Sequence, residues 1–121
     1  MTTSFTPILQ RAVERTPGAL GAIFADWDGE AVDQFGRVDK NEMLVLGAHY
    51  GIILNHVQAV LRLFHFGEAV EVILHHDRMD LVVRAVGLGY YVVLVVKENV
   101  HLASALREVK AAAVALRAEM M

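Results

Sequence analysis

Apolar residues change their period several times along this chain, and each change predicts an element. Ile8, Leu9, Ala12 and Val13 recur at helical spacing behind Thr6-Pro7, read as an N-cap and a first-turn proline, until Thr16-Pro17-Gly18 stops the helix. Ala19 to Asp26 is then a nearly unbroken apolar run of strand length. Asp28-Gly29 is a hairpin turn, because glycine accepts the positive φ such a turn needs, and Glu30 to Phe35 is the second strand. Asp39, with Glu42 three residues later, reads as a capping pair that opens one long helix from Lys40 to about His65. Gly67 ends that helix. Three strands are expected next, Glu68 to His75, Met79 to Val86 and Tyr90 to Lys97, joined by His76-Asp77-Arg78 and by Gly87-Leu88-Gly89.

From about Val100 a last helix is expected to run to the end of the chain. Leu102, Leu106, Val109, Ala113 and Leu116 form its apolar stripe, with Arg107, Glu108, Lys110 and Arg117 outside it. Strands joined by tight turns are antiparallel, and this much valine and isoleucine needs helices on both faces of the sheet. The predicted fold is therefore α+β: a three-layer α/β/α sandwich with a five-stranded antiparallel sheet, in the order αββαβββα.

The long helix has two apolar faces. At 100° per residue, Met43, Leu46, Tyr50, Ile53, Leu54, Val57, Val60, Leu61 and Phe64 form a wide arc suited to docking on a sheet. A second arc, roughly opposite, holds Val45, Ala48, Ile52, Ala59 and Leu63, where a surface helix should be charged. Gly47, Gly51, Asn55, Gln58 and Arg62 make the small or polar stripe. The second arc lies either under a loop or helix one, or against another chain. Ala48 and Ala59 allow close helix approach while Ile52 and Leu63 supply area, which favours a two-fold contact with a second copy. The strand carrying Val70 and Val72 is expected to be an edge that pairs with its own copy, because an unprotected edge invites aggregation.

Composition narrows the picture. The 121 residues support one domain, spanning 1–121, and 55% hydrophobic residues against 21% charged leave more apolar surface than one small core needs. A net charge of -3 with scattered Lys and Arg gives no footprint for nucleic acid. No cysteine is present, no apolar run is long enough to span a bilayer, and no signal-peptide pattern opens the chain, so a cytoplasmic location is expected.

Catalytic chemistry finds few materials. The two serines, Ser4 and Ser104, fall in a terminus and inside the last helix, so no triad nucleophile is placed. Gly87-Leu88-Gly89 lies between strands with no helix after it, and a turn explains it better than a phosphate cradle. His49 and His56 are two helical turns apart, too far to share a metal unaided, and His75-His76 fall in a polar turn. Asp28 is explained by its turn, Asp26 and Asp33 are placed opposite each other across the first hairpin, and Trp27 is expected to be half-buried. No catalytic residue, cofactor or metal site is predicted.

The element order, the segment GALGAIFADWDGEAVDQFG, the long helix ending in LRLF and the closing YYVVLVVKENVHLASALREVKAAAVAL together resemble the Roadblock/LC7 domain family, whose bacterial members include MglB-type regulators of Ras-like GTPases. The resemblance covers nearly the whole chain and rests on element order and lengths, not on a catalytic motif. It implies a non-catalytic homodimer in which the second helices pack antiparallel and the third strands pair, forming a platform for a small GTPase. Some members of the family accelerate GTP hydrolysis without an arginine finger. Asn55, Gln58 and Arg62 are the candidate partner-binding residues on that helix, with Arg62 the anchor. The other readings are a purely structural dimerisation module of a motility, polarity or motor complex, and a small-ligand sensor. The apolar sheet-facing arc of the long helix disfavours the sensor, since a ligand pocket needs convergent polar groups.

Overall fold

A computed structural model of the chain describes residues 3–37, 39–67, 70–97 and 102–121; the side chains of 40, 43, 44, 46–48, 50 and 51 lie outside that description. The elements are α1 (Thr6–Arg15), β1 (Ala19–Asp26), β2 (Ala31–Gly36), α2 (Lys40–Leu63), β3 (Glu71–His75), β4 (Met79–Gly87), β5 (Tyr90–Lys97) and α3 (Leu102–Met120). Every strand pairing is antiparallel, and the sheet order β2-β1-β5-β4-β3 puts β5 at the centre. This is the predicted α+β three-layer architecture.

Alternation along the strands divides the core in two. Ala22, Phe24, Val82, Val92, Leu94 and Val96 face one way and pack with Leu9 and Val13 of α1 and Val109, Ala113 and Leu116 of α3. Ile23, Ala25, Leu81, Val83, Tyr91, Val93 and Val95 face the other way, toward Leu54 of α2. One face is thus covered by two helices and the other by one. A single helix cannot bury a five-stranded sheet to its edge, which leaves Trp27, Val72 and Leu74 only partly covered on the α2 side.

Local chemistry departs from expectation in several places. Phe5, not Thr6, is the N-cap of α1, and the Thr6 hydroxyl instead donates to Asp33, which also accepts from Thr3 at 2.6 Å. Asp33 therefore ties the N-terminus to β2, and it sits opposite Phe24, not Asp26, whose amide donates to the Glu30 carbonyl at the turn. Asp26 closes the first hairpin by accepting from the amides of Asp28 and Glu30, each at 3.0 Å. Asp39 caps α2 through the Asn41 amide at 3.3 Å. β3 begins at Glu71, later than predicted; Glu68 and Ala69 lie outside the described residues, as does the predicted start of the last helix at Val100. Gly87, Leu88 and Gly89 all have positive φ, as a tight strand connection requires.

Candidate interaction surface

The buried side of α2 is narrow. Leu54, Val57, Gln58 and Leu61, spaced i, i+3, i+4 and i+7, turn toward the sheet, with Leu54 and Gln58 buried and the other two partly so. Gln58 is 4% exposed, which corrects its placement on an exposed partner-binding stripe. Ile53, Val60 and Phe64, assigned to the sheet-docking arc, are exposed instead. Taken together these shifts rotate the helix by roughly 50° from its expected setting. The rotation is tolerated because no fully buried side-chain polar atom among the described residues lacks a hydrogen-bond partner, so the Gln58 amide enters the interior satisfied.

The outward side is consequently more apolar than the sequence suggested. Val45, Ile52 and Leu63 of the second arc are exposed, Leu63 by 71%, and Ala59 is exposed beside them. Neither α1 nor a described loop covers them: α1 packs with α3 on the other face of the sheet. The Ala48 side chain is among those outside the description. Ile53 and Val60 widen the strip, and beyond the helix end Phe64 and Phe66 stack with ring centroids 6.0 Å apart, both exposed. His49 and His56 lie within this strip, and His49 Nδ1–H donates to the Val45 carbonyl at 2.9 Å. Among the described residues no three His, Asp or Glu side chains gather as a metal site.

Asn55 and Arg62 are exposed along one flank of the strip, so two of the three candidate partner-binding residues lie together at the surface and Gln58 does not join them. At the sheet edge β3 has β4 as its neighbour, while its outer side carries no described strand. Val70, just before β3, is exposed and its carbonyl accepts from the Ala85 amide; Val72 is half-buried. Glu71 pairs with Arg84 at 3.1 Å across β3 and β4, and His75 pairs with Asp80, also at 3.1 Å. Both pairs join β3 to β4 within the sheet and do not involve the outer edge of β3.

Beside Leu54, Val70 and Val72, the Trp27 ring packs on Tyr91 with centroids 5.1 Å apart and planes tilted by 33°, and the Trp27 amide donates to the Gly89 carbonyl. Burial first, and then the Asp26 charge, push the Tyr91 phenol from 10.0 up to about 12. Tyr91 is fully buried and packs in the core on the α2 side of the sheet. No helix among the described residues is long and apolar enough to cross a membrane.

No family sequence model and no curated protein sequence matches the chain. Its likeness to known proteins is carried by the backbone, which has the Roadblock/LC7 fold. The Roadblock/LC7 domain from Streptomyces avermitilis superposes with a TM-score of 0.86 at 18% identity, covering 94% of this chain and 95% of that one. Within that class the MglB architecture is matched along almost the full length. An MglB with tetrameric arrangement superposes at 0.86 with 22% identity, covering 98% of this chain and 91% of that one. The gliding protein MglB from Thermus thermophilus superposes at 0.85 with 21% identity, covering 98% of this chain and 92% of that one.

Proposed function

We propose that this protein is a non-catalytic, cytoplasmic homodimeric regulator or scaffold that binds a small Ras-like GTPase. One observation carries the reading: the strip of Val45, Ile52, Ile53, Val60 and Leu63 is solvent-exposed on a helix that has already docked on its own sheet. A patch of this kind on a small domain calls for a protein partner. Together with the exposed Val70 and the open edge of β3, it suits a two-fold copy, in which helix packs on helix and strand extends strand. The tetrameric arrangement named for one MglB supports self-association in this fold. Asn55 and Arg62, at the margin of the strip, would remain at the rim of such a dimer, where polar residues mediate a second contact.

The test is binding of the purified protein to a Ras-like GTPase from its own cell, loaded with GDP or with a non-hydrolysable GTP analogue, followed by titration of hydrolysis against wild type and Arg62→Ala. Binding that depends on the nucleotide is expected. If Arg62 only contributes contact, the Arg62→Ala defect is recovered at saturating protein; an arginine finger would cost on the order of 10³-fold at saturation. Absence of binding in either nucleotide state refutes the GTPase reading and leaves a structural dimerisation module.

A further inference from the structure

On the sheet face opposite α2, the helices α1 and α3 pack side by side. Between them runs an open trough of about 570 Å³. Its floor is made of small side chains, Ala12 from α1 and Ala111, Ala112 and Ala115 from α3, which leave space that larger residues would fill. The walls run from Pro7 to Arg15 on one side and from Arg107 to Ala115 on the other, each about 12 Å long at the helical rise.

The rim is cationic. Arg11 and Arg15 stand one turn apart on α1, both exposed, and Arg107 stands across from them on α3. Glu108 is the one carboxylate in the lining. Although predicted to lie on the solvent side of α3, it is 7% exposed and accepts from Arg107 Nε at 3.2 Å. A carboxylate this buried needs its partner, so Arg107 is partly committed. Arg11 and Arg15 have no hydrogen bond or ion pair with a described residue, and the neighbouring Glu14 is engaged by Gln10. The trough is thus positive within a chain whose net charge is -3.

We propose that this trough docks an acidic amphipathic helical segment of a partner protein, its apolar side chains resting on the alanine floor and its carboxylates meeting Arg11 and Arg15. A guanidinium fork matches a carboxylate in a paired, planar contact, and an apolar-floored groove about 12 Å long suits two turns of helix. A small phosphate-bearing ligand fits less well, because the floor is apolar except for the buried Glu108 carboxylate and no donors converge at a closed end. A bilayer fits less well too, since the surface is concave and the cations line its sides. The trough lies across the sheet from α2, so its occupation does not compete with self-association through α2 and does not depend on the GTPase reading.

Fluorescence anisotropy tests this with a labelled helix-forming alanine/leucine peptide carrying glutamates along one flank, beside versions with glutamine and with lysine in their place. The glutamate peptide should bind saturably, more weakly as salt rises, and the glutamine version should bind less well. The double variant Arg11→Glu/Arg15→Glu should bind the glutamate peptide about tenfold less tightly, with unchanged circular dichroism and melting, and should gain affinity for the lysine version. Ala111→Trp, at an exposed floor position, should block the glutamate peptide while leaving the fold intact. Three results each overturn the proposal: no saturable binding of the glutamate peptide, equal binding by the double variant, or displacement by millimolar inorganic phosphate. Arginine-dependent binding to phosphatidylserine vesicles without peptide binding would assign the trough to a membrane surface and overturn it as well.

Discussion

Replacing Ile52 by aspartate gives the sharpest test of the self-association surface. Ile52 is 53% exposed in the single chain, so about half of its side chain has already been removed from water by α2 itself. Burying an entire isoleucine side chain contributes about 1.5–3 kcal/mol, so completing the burial at a two-fold contact contributes about 1 kcal/mol on each copy. Symmetry doubles it. Loss of this burial alone, about 2 kcal/mol, weakens the dimer about 30-fold. Ile52→Asp also brings two carboxylates into a desolvated contact near the axis, which adds several kcal/mol and should take the dissociation constant beyond about 10³-fold. The single chain should tolerate the change, since the side chain points away from the sheet. Sedimentation or light scattering at micromolar concentration should report a dimer for wild type and a monomer for Ile52→Asp, with matching circular dichroism spectra. A variant that sediments like wild type, or a wild type that is itself a folded monomer, would refute the reasoning.

A proline at Ile73 should remove an outward backbone donor from β3 and loosen edge pairing, because the Ala85-to-Val70 and His76-to-Met79 backbone bonds turn the amides of Val72 and Leu74 toward β4; hydrogen exchange on wild type should find the outward amides of β3 protected in the dimer, and their free exchange would count against strand pairing. Leu116→Ala, at a fully buried position between α3 and the sheet, should lower stability by about 3–5 kcal/mol in chemical denaturation, and a loss below about 1 kcal/mol would show that this core relaxes unusually well. Because folding raises the Tyr91 phenol from 10.0 to about 12, the stability it contributes is fully present below about pH 10 and is lost as the pH rises through about 12. Tyr91→Phe should flatten the stability profile across that window, and an unchanged alkaline profile would show that Tyr91 is not its source.

The apolar excess of α2 was legible as a pattern, yet its rotation was not. A helix that is apolar on most sides offers several settings of similar burial, and choosing among them depends on which side chains find partners in the sheet. Gln58 turned inward because its amide could be satisfied there, and Ile53, Val60 and Phe64 turned outward as a consequence. Glu108 shows the same effect on α3. Sequence placed it on the polar side, but α1 packing against α3 closed over it and left Arg107 as its partner.

What the sequence determined by itself was the kind and order of the elements. Period, capping and turn residues act within a few positions of one another, so Ala19–Asp26, the Asp28-Gly29 turn and Tyr90–Lys97 could be recognised without knowing where they pack. Only the tertiary structure decided which apolar residues would stay in water and which charged ones would leave it. Three arginines from two helices share one trough, and Asp33 reaches the N-terminus instead of Asp26, because those neighbours are far apart along the chain. Such contacts are set by how whole helices and strands fit together, and local propensity carries no record of them.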